Sequence, residues 1–124
     1  MENAVQTGKK TMSFLQRFAG AAVHLWGQTQ RSPQWGALRD RWIKTSPICA
    51  GCGGKKSLEA HHIQPFYLRP ELELSEQNLL TLCRECHFQI GHLRDWSVFN
   101  PQVIADSAVY RVRFAEARRA SLVE

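Results

Sequence analysis

The four cysteines fall in two equally spaced pairs, Cys49/Cys52 and Cys83/Cys86, with 30 residues between the pairs. Two residues between thiols let one tight turn present both to a single ion. Two such turns complete a tetrahedron with Zn–S near about 2.3 Å. Gly51, Gly53 and Gly54 crowd around Cys52 and mark such a turn. Four thiolates fill every coordination position, so a zinc held this way is structural and leaves no place for substrate. Two disulfides, a redox pair or an iron centre are the competing readings. A redox pair needs no second copy of itself, and the doubled spacing favours zinc.

The histidines suggest a second, separate chemistry. Four of the five lie between residues 61 and 92, interleaved with the cysteine pairs: His61, His62, His87 and His92. With the thiols committed to zinc, these imidazoles are available as ligands or bases. A neutral imidazole, with an ordinary pKa near about 6.5, suits proton abstraction at neutral pH. His61 and His62 should end a short strand, where ideal geometry sends neighbours to opposite faces. A bend before Pro65 would bring one imidazole to a metal and the other to a water beside it.

The stretch from Cys49 to His92 resembles the HNH (ββα-metal, His-Me finger) endonucleases in their four-cysteine, treble-clef form. The resemblance is carried by Cys49-x2-Cys52, by Leu58-Glu59-Ala60-His61-His62-Ile63-x-Pro65, by Asn78-Leu79-Leu80-Thr81-Leu82-Cys83-x2-Cys86-His87 and by Gly91-His92. It implies His62 as general base, and His61 and His87 as ligands of a catalytic divalent ion (Mg²⁺, Mn²⁺, Ni²⁺ or Zn²⁺) beside the structural Zn²⁺. Asn78 would hold the loop and orient the base. The implied reaction is hydrolysis of DNA to a 5′-phosphate and a 3′-hydroxyl. Family members that carry a further histidine place it four residues after the one matching His87; here the gap to His92 is five. On an ideal α-helix that puts the two about 140° apart. A third ligand, a phosphate contact and a helix-end residue all stay open for His92. Arg84, Arg94, Lys55 and Lys56 are candidate nucleic-acid contacts.

These residues need elements to position them. Ser32-Pro33 reads as a helix start, with Ser32 as N-cap, and Trp35, Leu38 and Trp42 give that helix an apolar stripe ending before Pro47. Residues 57–63 and 79–82 read as short strands, separated by a loop over 64–77 with Pro65 and Pro70 as breakers. A helix is expected from Cys83 to about Asp95, with Trp96 and Phe99 packing the core behind it. After the break at Asn100-Pro101 a last helix should begin near Val103. The alternation Tyr110, Val112, Phe114 would also suit a strand. The fold class expected is α+β: a small ββα-metal/treble-clef zinc core with flanking helices. Residues 1–30 form an extension carrying an amphipathic helix at Met12–Gly27, residues 31–100 the nuclease domain, and residues 101–124 a helical extension.

Composition sets the outer bounds. The chain has 124 residues, 44% hydrophobic and 22% charged, which fits one folded domain with a modest core. The net charge of +5 suits a polyanionic partner such as DNA or RNA. The excess is concentrated in residues 31–60, which carry six basic residues against two acidic. No apolar run reaches the length of a membrane span. Thiols kept for metal fit a reducing, cytoplasmic setting. Two other functions compete with a DNA endonuclease. One is a non-catalytic zinc module binding nucleic acid or protein, which has no need of His61, His62, Asn78 and His87 together. The other is a toxin or effector nuclease, acting on DNA or RNA, with an immunity partner or in a phage or mobile-element setting.

Overall fold

Among the described residues, Pro47 follows the helix that ends at Thr45 and the Asn100-Pro101 step precedes the one that begins at Val103, with the sheet between them. The computed structural model describes residues 30–123. The chain divides into two units, residues 1–31 and the remainder from Ser32 on, and the description concerns the second. The helix expected at Met12–Gly27 lies outside the described residues.

Helix α1 spans Trp35–Thr45 and buries Leu38. It begins later than the Ser32-Pro33 signal suggests. Ser32 Oγ accepts from the Gln34 N–H at 3.1 Å, and the Ser32 carbonyl accepts from the Trp35 N–H at 3.0 Å. Ser32 therefore closes a turn ahead of the helix instead of capping it. The helix stops before Pro47, as the restriction on the residue preceding proline requires.

Strand β1, Leu58–His62, pairs antiparallel with β2, Leu79–Cys83. The register sets His61 opposite Leu80 and His62 opposite Leu79. The alternation of a strand persists to its last residue, so His61 shares a face with Glu59 and His62 takes the other. Two single 3₁₀ turns, Pro70–Leu72 and Glu76–Asn78, bridge the strands.

After β2 the chain makes one α-helical turn, α2, at Arg84–Cys86, and continues as a π-helical turn at His87–Gly91. The helix expected to reach Asp95 ends at Gly91. Past it, Leu93 (φ 52°) and Arg94 (φ 67°) adopt left-handed backbone, which no α-helix can contain. Helix α3 runs over Val103–Val123, so the alternation at Tyr110, Val112 and Phe114 belongs to a helix. Its start is fixed by buried Asn100. The Asn100 Oδ1 accepts from the Gln102 N–H at 2.8 Å, while Nδ2 donates to the Ile90 carbonyl at 3.0 Å. Asn100 thus ties the end of the π turn to the head of α3.

The core is small and built around the cysteines: Cys49, Leu82, Cys86, Ile90 and Val103 are buried together. Few apolar side chains close it, so the fold depends on what joins the sulfurs. Among the described residues, no helix is long and apolar enough to cross a membrane.

Candidate metal centres and active site

The four sulfurs lie within 4.8 Å of one another, and all four cysteines are free thiols. Cys52 Sγ and Cys83 Sγ are 3.8 Å apart. That is the edge of a tetrahedron with metal–sulfur bonds of about 2.3 Å. Backbone N–H groups point at the sulfurs, Gly54 to Cys52 at 3.3 Å and Cys86 to Cys83 at 3.4 Å. Burial raises the Cys49 thiol, but hydrogen bonds from the backbone of Cys83, Cys52 and Gly51 and from the Cys86 side chain outweigh it and bring it to about 7. Burial drives Cys83 and Cys86 upward. One sulfur is thus easily ionised while two resist, and a bound cation is what would let all four become thiolates. The donor set fits zinc.

Arg111 braces this site from α3. Its Nη1 donates to the Cys49 carbonyl at 3.1 Å, and its guanidinium lies over Gly53. Gly53 has φ +78°, and a Cβ there would stand 2.9 Å from the Arg111 side chain. The left-handed backbone favours glycine at this position, and its lack of a side chain lets the Arg111 guanidinium lie close.

The second cluster joins three histidines. Donor nitrogens of His61, His87 and His92 lie within 4.8 Å of one another. Their ring centroids are 4.9 to 5.2 Å apart. The π turn makes this possible. The His92 N–H donates to the His87 carbonyl at 3.1 Å, a bond across five residues. One turn then takes five residues instead of four, and the five-residue gap brings both rings to one face. The α-helical angle of 140° does not apply.

The tautomers follow from the acceptors. His92 Nδ1 is 2.7 Å from the Val98 carbonyl, so that nitrogen carries the proton. His87 Nδ1 donates to Glu59 Oε1 at 3.2 Å. With Nδ1 carrying the proton, a neutral ring at either position presents an Nε2 lone pair, and these two nitrogens face each other at 3.2 Å. Two acceptors at that distance repel unless a cation lies between them. A second proton on His87 is disfavoured: burial first, and the neighbouring His92 and Arg84 charges, hold His87 below the ordinary imidazole range despite Glu59. His61 falls to about 3, through burial and then the charges of His87, His92 and His62. Its Nε2 is buried without a hydrogen-bond partner among the described residues. A divalent ion suits all three observations, and nitrogen donors favour zinc, nickel or manganese over magnesium.

Residues 49–93 match the family model described as HNH endonuclease. The resemblance read from the motifs holds over that segment, and it places the HNH segment in a family of nucleases acting on nucleic acid. No curated protein and no solved structure matches the chain.

The remaining residues singled out by the sequence lie apart from the three-histidine cluster. His62 is not in the three-histidine cluster. It is buried against Trp35, with ring centroids 4.4 Å apart, and its Nε2–H donates to the Glu73 carbonyl at 2.9 Å. That bond leaves Nδ1 as the proton-accepting nitrogen of neutral His62. Asn78 is buried and clamps the chain just after His62: its Oδ1 accepts from the Gln64 N–H at 2.8 Å and its Nδ2 donates to the Gln64 carbonyl at 3.0 Å. Arg84 is exposed and pairs with Glu59 Oε2 at 3.2 Å. Lys55, Lys56 and Arg94 are exposed.

Three residues at the site were not expected there. Glu59 links His87 to Arg84, and its position two residues before His61 on one strand face was the available signal. Gly91 lies behind the rings; a Cβ there would stand 3.1 Å from both His61 Cε1 and His87 Cδ2. Trp96, expected in the core, is 50% exposed at the rim of the site.

Proposed function

We propose that the protein is a metal-dependent HNH endonuclease that hydrolyses phosphodiester bonds in DNA. The observation that carries this reading is the pair of Nε2 lone pairs of His87 and His92 converging beside His61, one residue from His62. A four-cysteine site alone would serve a non-catalytic module, but three convergent imidazoles add nothing to such a module.

In this reading His61, His87 and His92 hold the catalytic divalent ion. Three protein donors leave coordination positions open. When bound, the ion supplies charge stabilisation to the phosphate and the leaving oxygen. His62 Nδ1 takes the proton from the attacking water, while the Glu73 carbonyl fixes the ring by its bond to Nε2. The water oxygen bonds to phosphorus and the bond to the 3′-oxygen breaks. The products are a 5′-phosphate and, after protonation, a 3′-hydroxyl. Asn78 keeps the chain after His62 in place, so it acts on position and not on bonds. Lys55, Lys56, Arg84 and Arg94 are the candidate backbone contacts, and binding through them would weaken steeply with salt.

The test is supercoiled-plasmid nicking with EDTA, Mg²⁺, Mn²⁺, Ni²⁺ or Zn²⁺, comparing wild type with His62→Ala. The expected result is metal-dependent nicking by wild type, reduced at least about a hundredfold in the folded variant. Equal nicking by both proteins would remove His62 from the role of base.

A further inference from the structure

Trp96 lies beyond residue 93, where the family match ends, and the nuclease chemistry gives it no role. Its ring is 5.3 Å from that of His87, at 86°, and 5.0 Å from that of His92. It also packs on Phe88 at 5.1 Å, yet half of the residue is exposed. The guanidinium carbon of Arg84 lies 5.8 Å from the ring centroid. A tryptophan, a cation and two metal-donor imidazoles therefore share one rim.

The loop that presents Trp96 is held by its own hydrogen bonds. Leu93 and Arg94, neither of them glycine, both take left-handed backbone to turn the chain back. Such strain persists only where the surroundings hold it, and it gathers at functional sites. Here the Arg94 N–H donates to the Phe88 carbonyl at 2.9 Å. The Asp95 carboxylate accepts from the Ser97 N–H and hydroxyl at 3.0 and 2.7 Å. The Val98 carbonyl receives the His92 proton, and the Asn100 N–H closes the loop on the Gly91 carbonyl at 3.0 Å. Half of a large apolar ring is thus left in water beside the imidazoles.

We propose that Trp96 is a stacking platform for an unpaired nucleobase next to the scissile phosphate, with Arg84 contacting the adjoining backbone. An aromatic ring offers its face to a base whose own face is free, as in single strands, and such stacking is sequence-tolerant. Within a duplex the base faces are already occupied by their neighbours. The protein then prefers single-stranded or locally unpaired DNA over intact duplex. The inference rests on the nuclease reading for the reaction, but not for the binding.

The test pairs cleavage with binding. One oligonucleotide is supplied single-stranded or annealed, and the full chain is compared as wild type, Trp96→Phe and Trp96→Leu. Wild type is expected to cut the single strand at least about tenfold better. Trp96→Leu should raise KM for the single strand by about tenfold more than for the duplex, while Trp96→Phe keeps most of the preference. Equal losses on both substrates would make Trp96 a mere wall for the imidazoles and overturn the proposal. Quenching of tryptophan fluorescence by oligothymidine, read as wild type minus Trp96→Phe, follows binding without cleavage. Trp96-dependent quenching with no cleavage under any metal would sustain the platform and sink the nuclease reading. Cleavage without Trp96-dependent quenching or strand preference would do the reverse.

Discussion

The cysteine and histidine clusters lie on the same short ββα frame but differ in how they are closed. Of the four cysteines, Cys49 and Cys86 are buried in the core and Cys52 and Cys83 are partly covered, with N–H groups and Arg111 around them. The three imidazoles sit at the end of the frame. His61 is 2% exposed, but His87 and His92 are only partly covered and border exposed Trp96. A site whose four charged donors fill every position on the ion can only hold structure together. A site with three neutral donors and an open side can exchange its ion and admit a phosphate. Donor count and donor charge are what set the two clusters apart.

The sharpest way to break this contrast is at the cysteines. Cys83→Ser should release zinc and abolish the cooperative thermal transition, because binding of structural zinc is worth about 10–16 kcal/mol in small zinc domains. Circular dichroism and metal content would read it; a folded, zinc-free variant would show that the core does not need the ion.

Acid should act on the histidine side. The folded His61 pKa of about 3 lies below the unfolded value near about 6.5, so the unfolded chain binds the extra proton between those limits. Stability conferred by neutral His61 is therefore complete above about pH 6.5 and falls as pH drops toward 3, by about 1.4 kcal/mol per unit for one proton. The lowered His87 adds in the same direction. Chemical denaturation across that range should show the slope, and His61→Gln should reduce it. An unchanged slope in that variant would mean His61 is not the group that titrates.

Smaller effects follow at the supports. Glu59→Gln replaces the carboxylate that fixes the His87 tautomer, and should weaken binding of the exchangeable ion by roughly 10–100-fold with little change in melting temperature. Gly91→Ala should also loosen that ion, by roughly tenfold or less, since neighbouring rings must yield a few tenths of an ångström. Calorimetric titration with Ni²⁺ measures both, and wild-type affinity in Glu59→Gln would detach Glu59 from the site. Arg111→Ala, on the cysteine side, should cost about 1 kcal/mol, or roughly 4–8 °C in melting temperature, with nicking unchanged.

The sequence was most legible where short spacing dictates geometry. Two C-x2-C turns, the strands around His61 and Leu79, and the breaks at Pro47 and Asn100-Pro101 are local signals. The π turn was not legible, because hydrophobic periodicity does not distinguish a four-residue from a five-residue turn over so short a stretch. It alone decides whether His92 reaches His87. Trp96 looked like core for a related reason: its exposure depends on left-handed backbone at Leu93 and Arg94, which neither residue type announces. Arg111 acts across 62 positions, and nothing in its own neighbourhood marks it.

The most direct test of two metal centres with different duties is selective removal of one ion. Protein purified with both sites filled would be treated with a mild chelator, and its metal content and plasmid nicking followed together. The account predicts that one zinc stays with the cysteines and the fold persists. Nicking is lost, then returns on adding Mn²⁺ or Ni²⁺ to wild type but not to His87→Ala. Undiminished nicking with only the cysteine zinc present, or full recovery in His87→Ala, would contradict it.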